Sequence, residues 1–83
     1  MMSDTEILDK LTGIFRAVLS DADIVLAPET TPMDIPKWDS FRYIDIILQV
    51  EAAFGVRIRS REANKLRNVG EMVALIRDKR AGA

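Results

Sequence analysis

The sequence predicts an all-α protein: a four-helix bundle of three long helices and one short one, with a long loop between the first and second helices. Three observations carry this reading. Apolar residues recur every three or four positions in separate stretches, which is the period of one helix face. Capping signatures precede the first and last of these stretches, and Gly55 follows the second. All three prolines, Pro28, Pro32 and Pro36, fall in one segment and deny it a long helix.

The elements follow in order. Ser3-Asp4-Thr5-Glu6 reads as a capping box, with Ser3 as N-cap and Glu6 three positions into the helix. Behind it, Ile7, Leu8, Leu11, Ile14, Phe15, Val18 and Leu19 repeat at helical spacing, so the first helix is expected over about residues 4–19. Residues 20–38 show no period, but Ile24, Leu26, Met33, Ile35 and Trp38 offer apolar anchors. The segment is therefore expected to lie ordered over the core, with at most a short turn of helix. A connection of this length in so small a chain is often functional.

The second helix is expected from Ser40 to Phe54, ended by Gly55. It carries two apolar stripes. Tyr43, Ile46, Ile47, Val50 and Phe54 form one, and Phe41, Ile44 and Leu48 form the other. One stripe can face the core. The second is too apolar for a solvated face unless it borders the core or docks a partner. Val56-Arg57-Ile58-Arg59 is a connector with Ile58 turned inward. Ser60 is expected to cap a short third helix over about 61–66, with Ala63 and Leu66 inward. Asn68-Val69-Gly70-Glu71 resembles a second capping box. The last helix then runs to about Arg77 and buries Val69, Met72, Val73 and either Leu75 or Ile76, and Ala81-Gly82-Ala83 should fray.

The chain has 83 residues, the size of one small domain spanning 1–83. It is 48% hydrophobic and 30% charged, as a globular protein should be. It has no signal-peptide-like or membrane-spanning apolar run, so a cytoplasmic monomer without stable membrane insertion is expected. There is no cysteine and no histidine, which excludes Ser-His-Asp and Cys-His catalysis and any thiolate or imidazole metal site. No catalytic residue and no metal site is expected, and the chain is read as not an enzyme.

Charge is unevenly spread. Residues 1–30 carry a net −4, residues 31–54 a net −2 and residues 55–83 a net +5. The two ends of the chain should meet partners differently.

Trp38-Asp39-Ser40-Phe41 sets one serine hydroxyl at the start of the second helix. A helix N-terminus presents unpaired N–H groups and a partial positive charge, a good seat for a phosphate. Ser40 then reads as a residue to be modified. Taken alone it reads more readily as an N-cap, as serine often is. Trp38 and Tyr43 read as packing residues rather than chemistry.

With this layout the chain resembles the acyl carrier proteins. The pattern is Asp39-Ser40-Phe41, an apolar and acidic helix ending in Glu51-Ala52-Ala53-Phe54, the Ile58 loop, a short helix, and Asn68-Val69 opening the last helix. The Trp-Asp-Ser start and the Phe54-Gly55-Val56 turn resemble free-standing carriers of small dedicated pathways. The resemblance implies 4′-phosphopantetheine, taken from coenzyme A by a phosphopantetheinyl transferase and attached to Ser40, with Asp39 capping the helix beside it. The arm's thiol would hold an acyl group as a thioester. The resemblance further implies that the second helix docks acyl ligases, acyltransferases or synthases. By position, Phe41, Ile44 and Leu48 would make the apolar contact and Asp45 and Glu51 the charged one. Ile47, Ile58, Ala63, Leu66 and Met72 are the candidate walls of an acyl pocket.

One departure stands out. Carriers of general fatty acid synthesis are strongly acidic through their second and third helices, whereas this chain has Arg42, Arg57, Arg59, Arg61, Lys65 and Arg67. Like charges at an interface cost energy, so partners with basic docking patches should bind it poorly. A specialised lipid or secondary-metabolite pathway is expected, with Arg42, Arg57, Arg59 and Arg61 counted among the docking residues. The basic run is also compatible with a solvated face. Two alternatives share the architecture: a carrier of aminoacyl groups, and a small helical interaction or DNA-binding module with Ser40 unmodified. The slight net negative charge and the lack of interleaved aromatics argue against nucleic acid.

Overall fold

A computed structural model of the chain describes residues 2–81. The helices are α1 (Asp4–Val18), α2 (Ser40–Phe54), α3 (Ser60–Lys65) and α4 (Val69–Ala81), with a 3-10 turn at Pro32–Asp34 in the long loop. Among the described residues the regular structure is all helical, as the periodicity predicts. The fraying expected at Gly82 and Ala83 lies outside the described residues.

The capping box of α1 forms as read. Ser3 Oγ accepts the Glu6 N–H at 3.2 Å, and Glu6 Oε1 accepts the Ser3 N–H at 3.0 Å. These bonds hold the Glu6 carboxyl below its ordinary value. The helix leaves through Leu19 into Ser20, whose φ of 52° is the left-handed turn of a helix C-terminus. α1 packs on both α2 and α4, and Ile7, Leu11 and Phe15 are fully buried between them. Ile46, Val50 and Phe54 supply the core face of α2, and Val69, Met72, Val73 and Ile76 that of α4. Of the two candidates in the last helix, Ile76 is buried and Leu75 only packs at the core's edge.

The long loop is stitched down by its backbone. The N–H groups of Val69 and Gly70, unpaired inside α4, donate to the carbonyls of Thr30 (2.9 Å) and Pro28 (2.7 Å). A Cβ on Gly70 would stand 2.9 Å from the Pro28 oxygen, so this close approach requires glycine. At the other flank Arg16 Nε donates to the Ile24 carbonyl at 2.7 Å. Ile24, Leu26 and Ile35 are buried as anchors.

Four expectations are corrected. Met33 is no anchor, being 95% exposed. The Asp34 carboxylate binds the Thr31 N–H and hydroxyl in the 3-10 turn, and it is Ile35, just after the turn, that is buried. The cap of α3 is Arg59 rather than Ser60, because Glu62 Oε1 accepts the Arg59 N–H at 3.1 Å and the helix starts one residue earlier. The second capping box is shifted: Asn68 Oδ1 accepts from the Glu71 N–H, but the Glu71 carboxylate reaches the Arg67 N–H. Finally, α4 runs four residues past Arg77. Its last turns are pinned by Lys79 to Glu62 (2.8 Å) and by Arg80 to the Phe54 carbonyl (2.9 Å).

Candidate functional site

Ser40 is the first residue of α2, and the cap is its neighbour Asp39. Asp39 is extended, with φ −122° and ψ 179°, and its Oδ1 accepts the Arg42 N–H at 2.8 Å. Its other oxygen pairs with the Arg42 guanidinium at 3.1 Å, and Arg42 also donates to the Lys37 carbonyl at 3.3 Å. The capping bond therefore does not need Ser40. Its hydroxyl is exposed and bonds none of the described residues. The reading of Ser40 as a mere cap loses its basis.

Ser40 opens onto a depression of about 280 Å³ that includes Trp38, Tyr43, Ala63, Asn64 and Leu66. Trp38 holds its inner wall. It meets Phe15 edge-on at 4.9 Å between ring centres, and the Tyr43 ring at 5.8 Å. A second groove of about 220 Å³ lies between α2 and α3, with Ile44, Ile47, Leu48, Ile58 and Ala63 in its walls. The candidate acyl-pocket residues thus separate. Ile47, Ile58 and Ala63 line the α2–α3 groove, and Leu66 lies beside Ser40. Met72 lines neither. It is 1% exposed, because its position on α4 turns it into the central core.

Tyr43 stands between the two depressions. Its hydroxyl donates to the Ala63 carbonyl at 2.6 Å, joining α2 to the end of α3. Burial pushes this phenol up to about 12, so it remains a donor at neutral pH. Sequence reasoning gave Tyr43 packing alone. No local signal relates residues twenty positions apart.

The candidate docking residues also divide. Phe41, Ile44 and Leu48 are 82%, 59% and 57% exposed, so the second stripe is an outward face and not a border of the core. Asp45 is exposed beside Leu48. Glu51 departs from expectation: its carboxylate is half-buried and accepts the Ile58 N–H at 2.8 Å, which closes the α2–α3 turn. It is engaged in structure, not free for a partner. Glu62 is likewise engaged, by Lys79 and by the Arg59 N–H, and these partners hold its carboxyl below its ordinary value. The acids of this region are thereby turned inward. Arg57, Arg59, Arg61, Lys65 and Arg67 are exposed, and no ion pair engages them among the described residues. Five cationic side chains without an ion-pair partner among the described residues thus lie exposed around α3.

No model of a known protein family matches the chain. Individual proteins do. It is 32% identical over 78 residues to the acyl carrier protein of Thermosynechococcus vestitus, covering 94% of this chain and 96% of that one. The acyl carrier protein of Thermotoga maritima is 28% identical over 79 residues, covering 95% and 98%. Among solved structures, the solution structure of a holo acyl carrier protein from Geobacter metallireducens superposes with a TM-score of 0.85 at 39% identity, covering 92% of this chain and 87% of that one. Sequence identity of 32% over nearly the full length of both chains, together with the shared fold of the holo carrier, shows that the chain belongs to the acyl carrier protein family.

Proposed function

We propose that Ser40 carries a 4′-phosphopantetheine arm and that the protein delivers a thioester-bound cargo to the enzymes of a specialised pathway. Members of this family are non-catalytic carriers, and their cofactor is covalent 4′-phosphopantetheine. The observation that carries the assignment to Ser40 is its free, exposed hydroxyl at the N-terminus of α2, with the capping duty given to Asp39.

The residues fit the group. The first N–H groups of α2 and the helix dipole favour a phosphodiester at this position. The depression beside Ser40 gives the arm a wall of Trp38, Tyr43 and Leu66. In the loading step, Ser40 Oγ bonds the phosphorus that bears the pantetheine of coenzyme A. The bond from that phosphorus to its bridging oxygen breaks, the nucleotide half leaves with that oxygen, and the serine proton passes to the transferase. When bound, the arm supplies the thiol that this cysteine-free chain lacks. Tethering raises the effective concentration of the cargo at a docked enzyme.

The exposed stripe of Phe41, Ile44 and Leu48 supports α2 as the docking face, with Asp45 at its side. The cationic surface of Arg57, Arg59 and Arg61 supports partners that are acidic where they meet the α2–α3 turn and α3. Enzymes that grip a carrier through basic patches would meet like charge there. That is the ground for a specialised ligase, acyltransferase or synthase, and for a dedicated rather than housekeeping role. Whether the cargo is acyl or aminoacyl is read from the mass of the loaded carrier. No described helix is long and apolar enough to cross a membrane.

The test is direct. The protein is incubated with coenzyme A and a broad-specificity phosphopantetheinyl transferase, and its intact mass is measured beside Ser40→Ala. A gain of one phosphopantetheine in the wild type, absent in the variant, is expected. A gain that survives Ser40→Ala overturns the assignment to Ser40.

A further inference from the structure

Few polar groups around Ser40 are still free to bond. The depression there has Asp39, Tyr43, Trp38 and Asn64 as its polar side chains besides Ser40 itself. Both oxygens of Asp39 are taken by Arg42, at 2.8 and 3.1 Å. The Tyr43 hydroxyl donates to the Ala63 carbonyl at 2.6 Å. That leaves the Trp38 indole N–H, which can only donate, and the Asn64 carboxamide, which both donates and accepts. Asn64 is exposed, and its side chain bonds none of the described residues.

The place of Asn64 relative to Ser40 is fixed by its neighbour. Ala63 is buried, and its carbonyl is the one that takes the Tyr43 hydroxyl. Tyr43 follows Ser40 by three residues, so it stands one turn along α2 on the same side. The bond therefore ties the backbone beside Asn64 to the first turn of α2. The six-residue α3 is held further back as well, by Lys79 on Glu62 and by the Glu51 carboxylate on the Ile58 N–H. Only the Asn64 side chain, and not its backbone, has to give up freedom to bind a group at Ser40.

Beyond its phosphodiester, a pantetheine arm carries amides, each with an N–H and a carbonyl. A carboxamide matches such a group in both senses: Oδ1 can accept its N–H, and Nδ2 can donate to its carbonyl. No other unengaged side chain around Ser40 can accept. Resting on the carrier reading of Ser40, we propose that Asn64 is a positioning residue that holds the arm by hydrogen-bonding one of its amides. The arm then lies across the depression, against Trp38 and the end of α3, and outside the core. A few well-placed polar groups in an apolar wall are what fix a ligand's orientation. The thiol beyond the held amide starts from one direction when a partner docks, instead of sampling every direction about Ser40. Asn64 does not touch the thioester, so it acts on where the cargo is presented and not on the chemistry of its transfer.

The experiment loads isotope-labelled wild type and Asn64→Ala with the transferase and unlabelled coenzyme A, and intact mass confirms the arm. Isotope-filtered NMR spectra then isolate the arm's amide protons. Their exchange with water is compared with that of the same amides in free coenzyme A. In the wild type, one arm amide is expected to exchange about fivefold more slowly than in coenzyme A, the bound-to-free ratio that one hydrogen bond sustains. The Asn64 side-chain amide signals are expected to shift between the unloaded and the loaded protein. In Asn64→Ala, whose backbone spectrum should report an unchanged fold, the protected amide is expected to return to the coenzyme A rate. Wild-type arm amides that exchange as they do in coenzyme A overturn the proposal. So does protection that survives Asn64→Ala, and so do Asn64 signals that stay in place on loading. A protein that gains no mass at Ser40 overturns the carrier reading instead, at a step before any exchange is measured.

Discussion

Replacing Asp39 with alanine tests the claim that the cap beside Ser40 is separate from Ser40 itself. The side chain makes two contacts: Oδ1 accepts the Arg42 N–H at 2.8 Å, and Oδ2 pairs with the Arg42 guanidinium at 3.1 Å. Loss of an N-cap bond costs about 1 kcal/mol. Both partners of the ion pair are about half exposed, at 47% and 51%. Loss of that pair, together with the carboxylate's attraction to the helix dipole, adds about 0.5 kcal/mol. Asp39→Ala should then cost ~1.5 kcal/mol, which in a domain of this size lowers Tm by ~6–12 °C. Asp39→Asn keeps the capping oxygen and gives up only the charge, so its loss should be about 0.5 kcal/mol, or ~2–4 °C. Ser40→Ala touches neither contact and should melt with the wild type. Thermal unfolding followed by circular dichroism reads all three. The reasoning is refuted if Ser40→Ala is the most destabilised of the set, or if the alanine and asparagine variants of Asp39 melt together.

Leu48→Glu changes a residue that is 57% exposed on the outward stripe of α2. Stability should move by no more than ~0.5 kcal/mol, while kcat/KM of the transferase on this carrier should fall about tenfold; equal losses of both would place Leu48 in the core. Glu62→Gln should flatten the acid side of the stability curve. Lys79 and the Arg59 N–H hold the Glu62 carboxyl below its ordinary value, so the stabilisation is present above that ordinary value and is lost as pH falls through the folded one. Tm measured from neutral pH down to pH ~3 should drop less in the variant than in the wild type. A variant that tracks the wild type throughout would show that Glu62 is not protected by those partners. Reversing Arg57, Arg59 and Arg61 to Glu should raise turnover of the loaded carrier by enzymes of general fatty acid synthesis. Unchanged activity would mean that charge is not what excludes them.

Much of the fold and one end of the site could be read from the chain because those features are local. The helix of Asp4–Val18 follows from a 3.6-residue rhythm and a capping box that spans four positions. The start of α2 at Ser40 and its end before Gly55, at a left-handed φ of 65°, depend on residues next to one another. The outward stripe of Phe41, Ile44 and Leu48 is also a matter of angle around one helix.

Other features arise from contacts between elements, which no spacing encodes. The carbonyls of Pro28 and Thr30 satisfy the first N–H groups of α4 across some forty residues, and only the folded loop brings them there. Met33 and Ile35 are both apolar residues at the same short turn. Packing alone sends one into water and the other into the core. Glu51 reads as a surface acid until the α2–α3 turn places the Ile58 N–H within 2.8 Å of its carboxylate. Glu62 has Lys79 opposite it because the fold brings α3 within reach of the last turns of α4. With these two acids bonded elsewhere, the arginines around α3 have no ion-pair partner among the described residues. Tyr43 joins α2 to α3 only because the fold brings the Ala63 carbonyl, which also accepts the Leu66 N–H, to 2.6 Å from its hydroxyl. Periodicity and capping act over three or four residues and are written in the chain. Side-chain partnering across helices depends on relative helix positions to within an ångström, and those are set by the packing of the whole core.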